Sequence, residues 1–350
     1  MNTFTNIMNN IAEHNSRDSL VTGRFAPSPT GLLHLGNAWS FLLTWLCSRS
    51  CFGRIVLRIE DLDPDRSRRE WSENIMTDLK WLGMDWDEGP DIGGPNGPYL
   101  QSERTQYYER MLRRLSELDI VYPCFCTRKE LRELAGAPHG AADGLGDGGA
   151  AYPGTCRNLS QEERQTRIRS GRRSSLRLFC PDDRIEHFTD LVQGAQDIAI
   201  ADCGGDFVLR RSDGVWAYQL AVVCDDIAMG ITHVVRGEDI KFSTPRQLYL
   251  YHLFKEPYPV YAHVPLLHDS NGQRLAKRHK SLSLASLRQK GCRAEKVVGW
   301  LAWQAGLQEK PCPVMPVQLA EKLKSYNFHF LRRLSGKKII VPDGIEVSWL

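Results

Sequence analysis

Long apolar runs are missing from this chain. The longest uninterrupted ones, such as Val297 to Trp303, fall far short of the roughly 18 to 20 residues needed to cross a bilayer, which argues against a membrane protein. A basic start followed by an apolar block is missing too: the first 20 residues are polar and Asn-rich, and read as a frayed extension rather than a secretory signal. Net charge is nearly absent at +3, so affinity for a polyanion has to come from local patches. One such patch is Arg164, Arg167, Arg169, Arg172, Arg173 and Arg177, which fits a solvated helix face as well as phosphate contact. No internal repeat is evident. The ten cysteines, with Cys124 and Cys126 only one residue apart, suggest thiols and a metal rather than a disulfide framework, and hence the cytoplasm.

What is present is an alternation of elements. The 350 residues fit about two units, or one domain carrying an insertion. Val21 to Ala26 predicts a short strand that runs into Pro27, Pro29 and Gly31, and Leu35 to Trp45 is mostly apolar over helical length. Arg54 to Ile59 predicts a second strand, closed by Glu60 and Asp61. The opening is therefore a βαβ unit in a parallel sheet with a right-handed crossover, and such sheets bind ligands at the carboxyl ends of their strands. Ala135 to Ala151, rich in Gly, Ala and Asp, reads as an inserted flexible loop.

The segment from Arg24 to Asn37 puts His34 and Gly36 at the start of the predicted helix, directly after the strand. A helix N-terminus presents unpaired N–H groups and a positive dipole end to a phosphate. Gly36 would let a nucleotide ring approach the backbone, and His34 can donate to a phosphate oxygen. Alone, such a pair fits a capping or core histidine better.

Together with a second segment, however, the stretch resembles the HIGH signature of class I aminoacyl-tRNA synthetases in the form used by the glutamyl group. That second segment, Arg274-Leu-Ala-Lys277-Arg278 after Gly272, is similar to the family's KMSKS loop. The resemblance implies an α/β fold with a Rossmann-like parallel sheet, and a nucleotide site made of His34, Gly36, Asn37, Arg274 and Lys277. His34 and Lys277 would take part in catalysis, with Mg2+ arriving on ATP. A mobile lysine that meets the triphosphate only as charge develops on the leaving pyrophosphate is what electrostatic catalysis requires. The sequence departs from the family pattern at Arg274, where lysine is frequent, and at Ala276, where serine is usual; slower or altered loop closure is the expected result.

An α-amino dicarboxylate needs cations for its carboxylates and an anion for its ammonium group. By the same resemblance Arg24, Ala26, Ser28, Glu60, Tyr218 and Arg236 fall on the glutamate-contacting positions, in the family's order. Arg236, in His-Val-Val-Arg-Gly-Glu-Asp, is placed to grip a carboxylate, and Glu60 to receive the ammonium group. The Arg-Gly-Glu text argues against a glutaminyl enzyme, and Val222 stands where the usual glutamyl-tRNA synthetases carry asparagine.

Cys124, Cys126, Tyr152 and Cys156 offer three thiolates and a phenol on either side of the glycine-rich loop. Zinc favours four ligands in a tetrahedron and suits sulfur, although tyrosine is a rare ligand. The pattern resembles the zinc-binding insertion of the queuosine-modifying branch of the glutamyl family, which implies one structural Zn2+ per chain. The other cysteines, among them Cys180, Cys203, Cys224 and Cys292, fit small buried thiols.

The resemblance covers roughly residues 20 to 340. Only 73 residues follow Lys277, so the expectation is a short helical region and no anticodon-binding domain. The expected division is an extension at 1–20, catalytic halves at 21–120 and 206–280, an insertion at 121–205 and a helical region at 281–350. In the truncated relatives glutamate goes to the queuosine base of tRNA(Asp), which implies L-glutamate, ATP and queuosine-containing tRNA(Asp) as partners and no membrane. The alternatives are charging of the 3′ end of tRNA(Glu), a non-catalytic RNA-binding paralogue, and a small-molecule adenylyltransferase of the wider superfamily.

Overall fold

Strand β1 (Thr22–Phe25) is buried at all four positions and ends where Pro27 and Pro29 withhold two backbone donors. The structure, a computed structural model, describes residues 20–127, 129–131, 152–275, 282–324 and 328–349. Helix α1 (Leu35–Ser50) follows, and its start is closed by Asn37, whose Oδ1 accepts the His34 backbone N–H at 3.0 Å. It outruns the expected end at Trp45 because Ser48 turns its hydroxyl back onto the Thr44 carbonyl, 3.1 Å away, so even its polar residues can be buried. Strand β2 (Arg54–Leu57) then pairs parallel with β1, Arg24 opposite Val56. The pairing continues past both strands: the Arg58 N–H donates to Phe25 and the Glu60 N–H to Pro27, which draws Glu60 beside the first loop.

Helices α2 (Arg69–Trp81) and α3 (Thr105–Ser116) lead to an antiparallel sheet of β3 (Val121–Cys124), β4 (Ser175–Leu178) and β7 (Phe207–Arg210), on which α4 (Gln161–Arg169) sits with no buried residue. Between β4 and β7 run β5 (Ile185–Asp190) and β6 (Gly194–Ala199). These two belong to another sheet. Its order is β6-β5-β9-β8, with β8 (His233–Gly237) and β9 (Val260–Val264) parallel in register Arg236 to His263. Strand β1 lies against β8, joined by the Thr232 N–H to the Thr22 carbonyl at 2.9 Å, so the parallel strands form one layer. Sheet membership thus crosses residue 205 in both directions: β5 and β6 have already joined the parallel layer, while β7 still belongs with β3 and β4.

Helices α5 (Tyr218–Ala228) and α6 (Thr244–Phe254) pack together on one apolar cluster, and Val222 is buried within it. After β10 (Leu267–His268) come α7 (Leu284–Gln289), α8 (Ala294–Gln304), α9 (Pro316–Leu323) and α10 (His329–Arg332). The end is not purely helical, because β11 (Ile339–Ile340) returns to pair parallel with β10. Residues of α1, α8 and α9 share the largest apolar cluster. Among the described residues no helix is long and apolar enough to cross a membrane.

Candidate active site

The carboxyl ends of β1 and β8 open onto a cleft of about 460 Å³. Arg24, Ala26, Ser28, Glu60, Tyr218 and Arg236, scattered over more than 200 positions, all line it. So do His34, Gly36, Asn37 and Arg274. Lys277, Arg278 and Ala276 lie outside the described residues, as does the Ala135 to Ala151 loop. Val222 is 1 % exposed in the helical core and does not line the cleft.

Under the end of the cleft that carries Arg24 and Glu60 lies an ion network the sequence reading did not pick out. Arg58 is completely buried and reaches three carboxylates: Asp226 at 2.7 Å, Glu60 at 3.2 Å and Asp225 at 3.6 Å. Arg24 stands 3.8 Å from Asp226, and Arg104 donates to Asp225 at 2.6 Å. Three guanidinium groups face three carboxylates, so the network is neutral overall. Asp225 is further satisfied by the Gln101 amide at 2.8 Å and the Tyr108 hydroxyl at 2.9 Å. Glu60 is the least provided for. Burial pushes its carboxyl up from the ordinary range, against the pull of Arg58 and Arg24. A cationic group arriving from the cleft would give the Glu60 carboxylate a further partner, which suits an ammonium ion. The available sequence signal was two adjacent acids, Asp225 and Asp226, inside the apolar stretch from Leu220 to Ile227; buried charges need partners.

On the opposite wall Arg236 is held from three sides. Its Nε donates to His263 Nε2 at 3.1 Å, its Nη1 to Gln247 Oε1 at 2.8 Å and its Nη2 to Thr244 Oγ1 at 2.8 Å. At the nucleotide end the His34 ring folds over Gly36, where an added Cβ would lie 2.9 Å from the imidazole. Arg274 crosses to Asp239 at 2.7 Å, tying the start of the KMSKS-like segment to the turn after β8.

Away from the cleft, the Cys124, Cys126 and Cys156 sulfurs lie within 4.8 Å of one another. The Cys126–Cys156 sulfur separation is 3.6 Å, and the Cys124 sulfur is 3.4 Å from the Tyr152 hydroxyl. Zinc–sulfur bonds of about 2.3 Å in a tetrahedron give edges of about 3.8 Å, so the donor set fits that ion. Burial first, and then the neighbouring Cys124, push the Cys126 thiol up to about 12. That thiol therefore keeps its proton until a cation displaces it. The arginine run turns inward around this cluster. Arg167 approaches the Cys156 sulfur at 3.9 Å, Arg172 donates to the Phe125 carbonyl at 3.0 Å, and the Arg177 guanidinium covers the Tyr152 ring at 4.0 Å. Arg177 is buried there, while Arg172 is exposed and also pairs with Glu130, so the run serves both the cluster and a solvated face.

Comparison with known proteins follows the same lines. The family of class I tRNA synthetases (E and Q), catalytic domain, matches residues 20–308. A Glutamyl-Q tRNA(Asp) synthetase of Nitratidesulfovibrio vulgaris is 58% identical over 288 residues, 82% of this chain and 87% of that protein. Its namesake from Symbiobacterium thermophilum is 52% identical over 300 residues, 86% of this chain and 91% of that protein. A crystal structure of a glutamate tRNA ligase from Elizabethkingia meningosepticum, in complex with its amino acid, superposes with a TM-score of 0.78 at 29% identity, covering 95% of this chain and 68% of that one.

Proposed function

The chain belongs to the class I tRNA synthetase (E and Q) catalytic-domain family, and from that premise we propose that it activates L-glutamate with ATP, without needing tRNA first, and transfers it to the queuosine base of tRNA(Asp). The observation that carries this reading is the pair of relatives at 58% and 52% identity, each aligned over most of its own length, that bear the name Glutamyl-Q tRNA(Asp) synthetase. The cleft supports it, since one cavity holds both the dicarboxylate set and the phosphate-facing helix start.

The chemistry is an adenylyl transfer followed by an acyl transfer. An oxygen of the glutamate α-carboxylate attacks the α-phosphorus of ATP, the bond to the bridging oxygen breaks, and pyrophosphate leaves. A hydroxyl of the queuosine cyclopentene ring then attacks the activated carbonyl, loses its proton, and AMP departs with the anhydride electron pair. Mg2+ enters with ATP and offsets the charge of the phosphates. Glu60 receives the substrate ammonium group, Arg24 and Arg236 supply cations for its carboxylates, and Ala26, Ser28 and Tyr218 shape the space between them. His34 donates to a phosphate oxygen beside Gly36 and Asn37. Arg274 and Lys277 meet the leaving pyrophosphate. Cys124, Cys126, Tyr152 and Cys156 would hold one structural zinc, which would tie Tyr152 and Cys156 to the end of β3. This reading has an insertion between two catalytic halves, with β5 and β6 on the catalytic side and β7 on the insertion side of the 121–205 division, and takes the enzyme to be cytoplasmic.

The test is radiolabelled glutamate offered to tRNA(Asp) from cells able and unable to make queuosine. Label should enter only the first. Equal labelling of both, or labelling confined to tRNA(Glu), would replace the reading with a compact tRNA-charging synthetase.

A further inference from the structure

Arg236 does not stand alone in the cleft wall; it is one link in a chain of buried polar side chains whose donor and acceptor order is fixed from one end. Asp190 lies at the carboxyl end of β5 and accepts twice from His263, from the backbone N–H at 3.0 Å and from Nδ1 at 2.6 Å. A carboxylate only accepts, so the imidazole proton must sit on Nδ1. That leaves the Nε2 lone pair as an acceptor, met by the Arg236 Nε–H at 3.1 Å and reached by the Thr244 hydroxyl at the same distance. The same order runs out of the other side of the guanidinium. Arg236 donates to Gln247 Oε1 at 2.8 Å, Gln247 Nε2 to Gln219 Oε1 at 3.0 Å, and Gln219 Nε2 to Ser243 Oγ at 3.0 Å. Asp190, His263, Gln247 and Gln219 are each no more than 2 % exposed, so water cannot substitute for any link.

Of the five N–H groups of Arg236, three are committed to His263, Gln247 and Thr244. One N–H remains on each terminal nitrogen, in a plane that cannot turn. Such a fork offers donors only. A carboxylate satisfies both, whereas a carboxamide must turn its own N–H groups against one of them. The opposite imidazole tautomer would point a second donor at Arg236 Nε and release the plane. Burial holds the His263 imidazolium far below its ordinary range, near 4, so the ring is neutral at working pH and the lone pair is available.

We infer that Asp190 and His263 are positioning residues for the substrate carboxylate, locking the imidazole tautomer that holds the Arg236 fork in place and so setting the preference for a dicarboxylate over its amide. This rests on the reading of Arg236 as a glutamate-binding group. Neither residue touches the substrate.

The experiment uses the full-length protein in two arms. The first is ATP–pyrophosphate exchange driven by glutamate or glutamine, in the wild type, His263→Leu and His263→Gln. Leucine keeps the volume but offers Arg236 nothing. Glutamine restores the order, with its amide N–H toward Asp190 and its oxygen toward Arg236. We expect His263→Leu to raise KM for glutamate about ten- to hundredfold, with kcat and KM for ATP nearly unchanged and the glutamate-over-glutamine preference reduced, and His263→Gln to recover much of the loss. A purely structural role would lower the amount of active enzyme without moving either KM or the preference. The second arm is the 15N NMR signature of His263 in the wild type, expected to be a neutral ring protonated on Nδ1, and it keeps the inference testable if His263→Leu does not fold. Unchanged KM and preference in a folded His263→Leu, or a ring protonated on Nε2, would overturn the inference. Failure of the wild type to exchange with glutamate at all would instead sink the functional reading, whatever the tautomer.

Discussion

Replacing Arg58 with methionine removes a cation that reaches Glu60, Asp225 and Asp226 together, at 3.2, 3.6 and 2.7 Å. Methionine is apolar and flexible enough to fill the stem's space, so the perturbation is chiefly one of charge. Three buried carboxylates would then face only Arg24 and Arg104. Leaving a buried charge uncompensated costs about 3–5 kcal/mol, a large share of the roughly 5–15 kcal/mol that holds a folded domain. The cost should depend on pH in a definite direction. Without Arg58, one carboxyl of the trio has its folded pKa raised above its unfolded value, so the variant gains stability relative to the wild type as pH falls through that raised value. Urea unfolding of both proteins at pH 8 and pH 5.5 should therefore give the larger difference at pH 8. Adding Asp226→Asn to Arg58→Met should recover part of the loss by restoring the charge balance, while Arg58→Lys, with one point charge in place of a planar fork, should fall between. A loss below about 1 kcal/mol, or one equal at both pH values, would show that these groups do not share one charge account.

The zinc reading expects about one metal per chain by elemental analysis, lost in Cys126→Ser or Cys156→Ser together with a fall in Tm, and largely kept in Tyr152→Phe, since three thiolates and a water can still hold the ion. A metal-free preparation with unchanged Tm would refute it. Gly36→Ala places a methyl 2.9 Å from the His34 ring and should slow pyrophosphate exchange by about tenfold or more, with Tm nearly unchanged because alanine suits a helix better than glycine; an unaltered rate would remove His34 from the nucleotide site. Burial raises the Asp78 carboxyl to about 6 despite Arg288 at 3.3 Å. A carboxyl raised in the folded state costs stability above that value and not below its unfolded one, so Asp78→Asn should stabilise at pH 8 and lose that advantage at pH 4. Denaturation midpoints at the two values check the sign.

Local patterns in the sequence predicted the opening βαβ unit because each of its elements announces itself within a few residues: the prolines after Phe25, the apolar length after Leu35, the alternation before Glu60. Most of the cleft positions were legible only through a family resemblance, and the cleft gathers ten of those eleven, Lys277 lying outside the described residues. The supporting groups were not legible. Arg58 meets Asp226 across 168 positions, and Asp190 meets His263 across 73. Neither partner lies in the other's window, and an acid in an apolar stretch says only that it needs a cation, not which one. The arginine run from Arg164 was ambiguous for the opposite reason, since a charged helix face looks the same whether solvent or a sulfur cluster lies beneath it.

Strand order also sets a clock. The partner of β1 on its outer side is β8, joined through Thr22 and Thr232, which are 210 positions apart. At a synthesis rate of about 5–20 residues per second, β1 leaves the ribosome roughly 10–40 s before β8 exists. Throughout that interval the side of α1 that ends against β8 is uncovered, and Arg58, which ends completely buried, lacks Asp225 and Asp226 until nearly its close. The apolar surface of the nascent amino-terminal third is thus partly open during synthesis, and the cleft forms only once the strand carrying Arg236 closes against one that has waited for it.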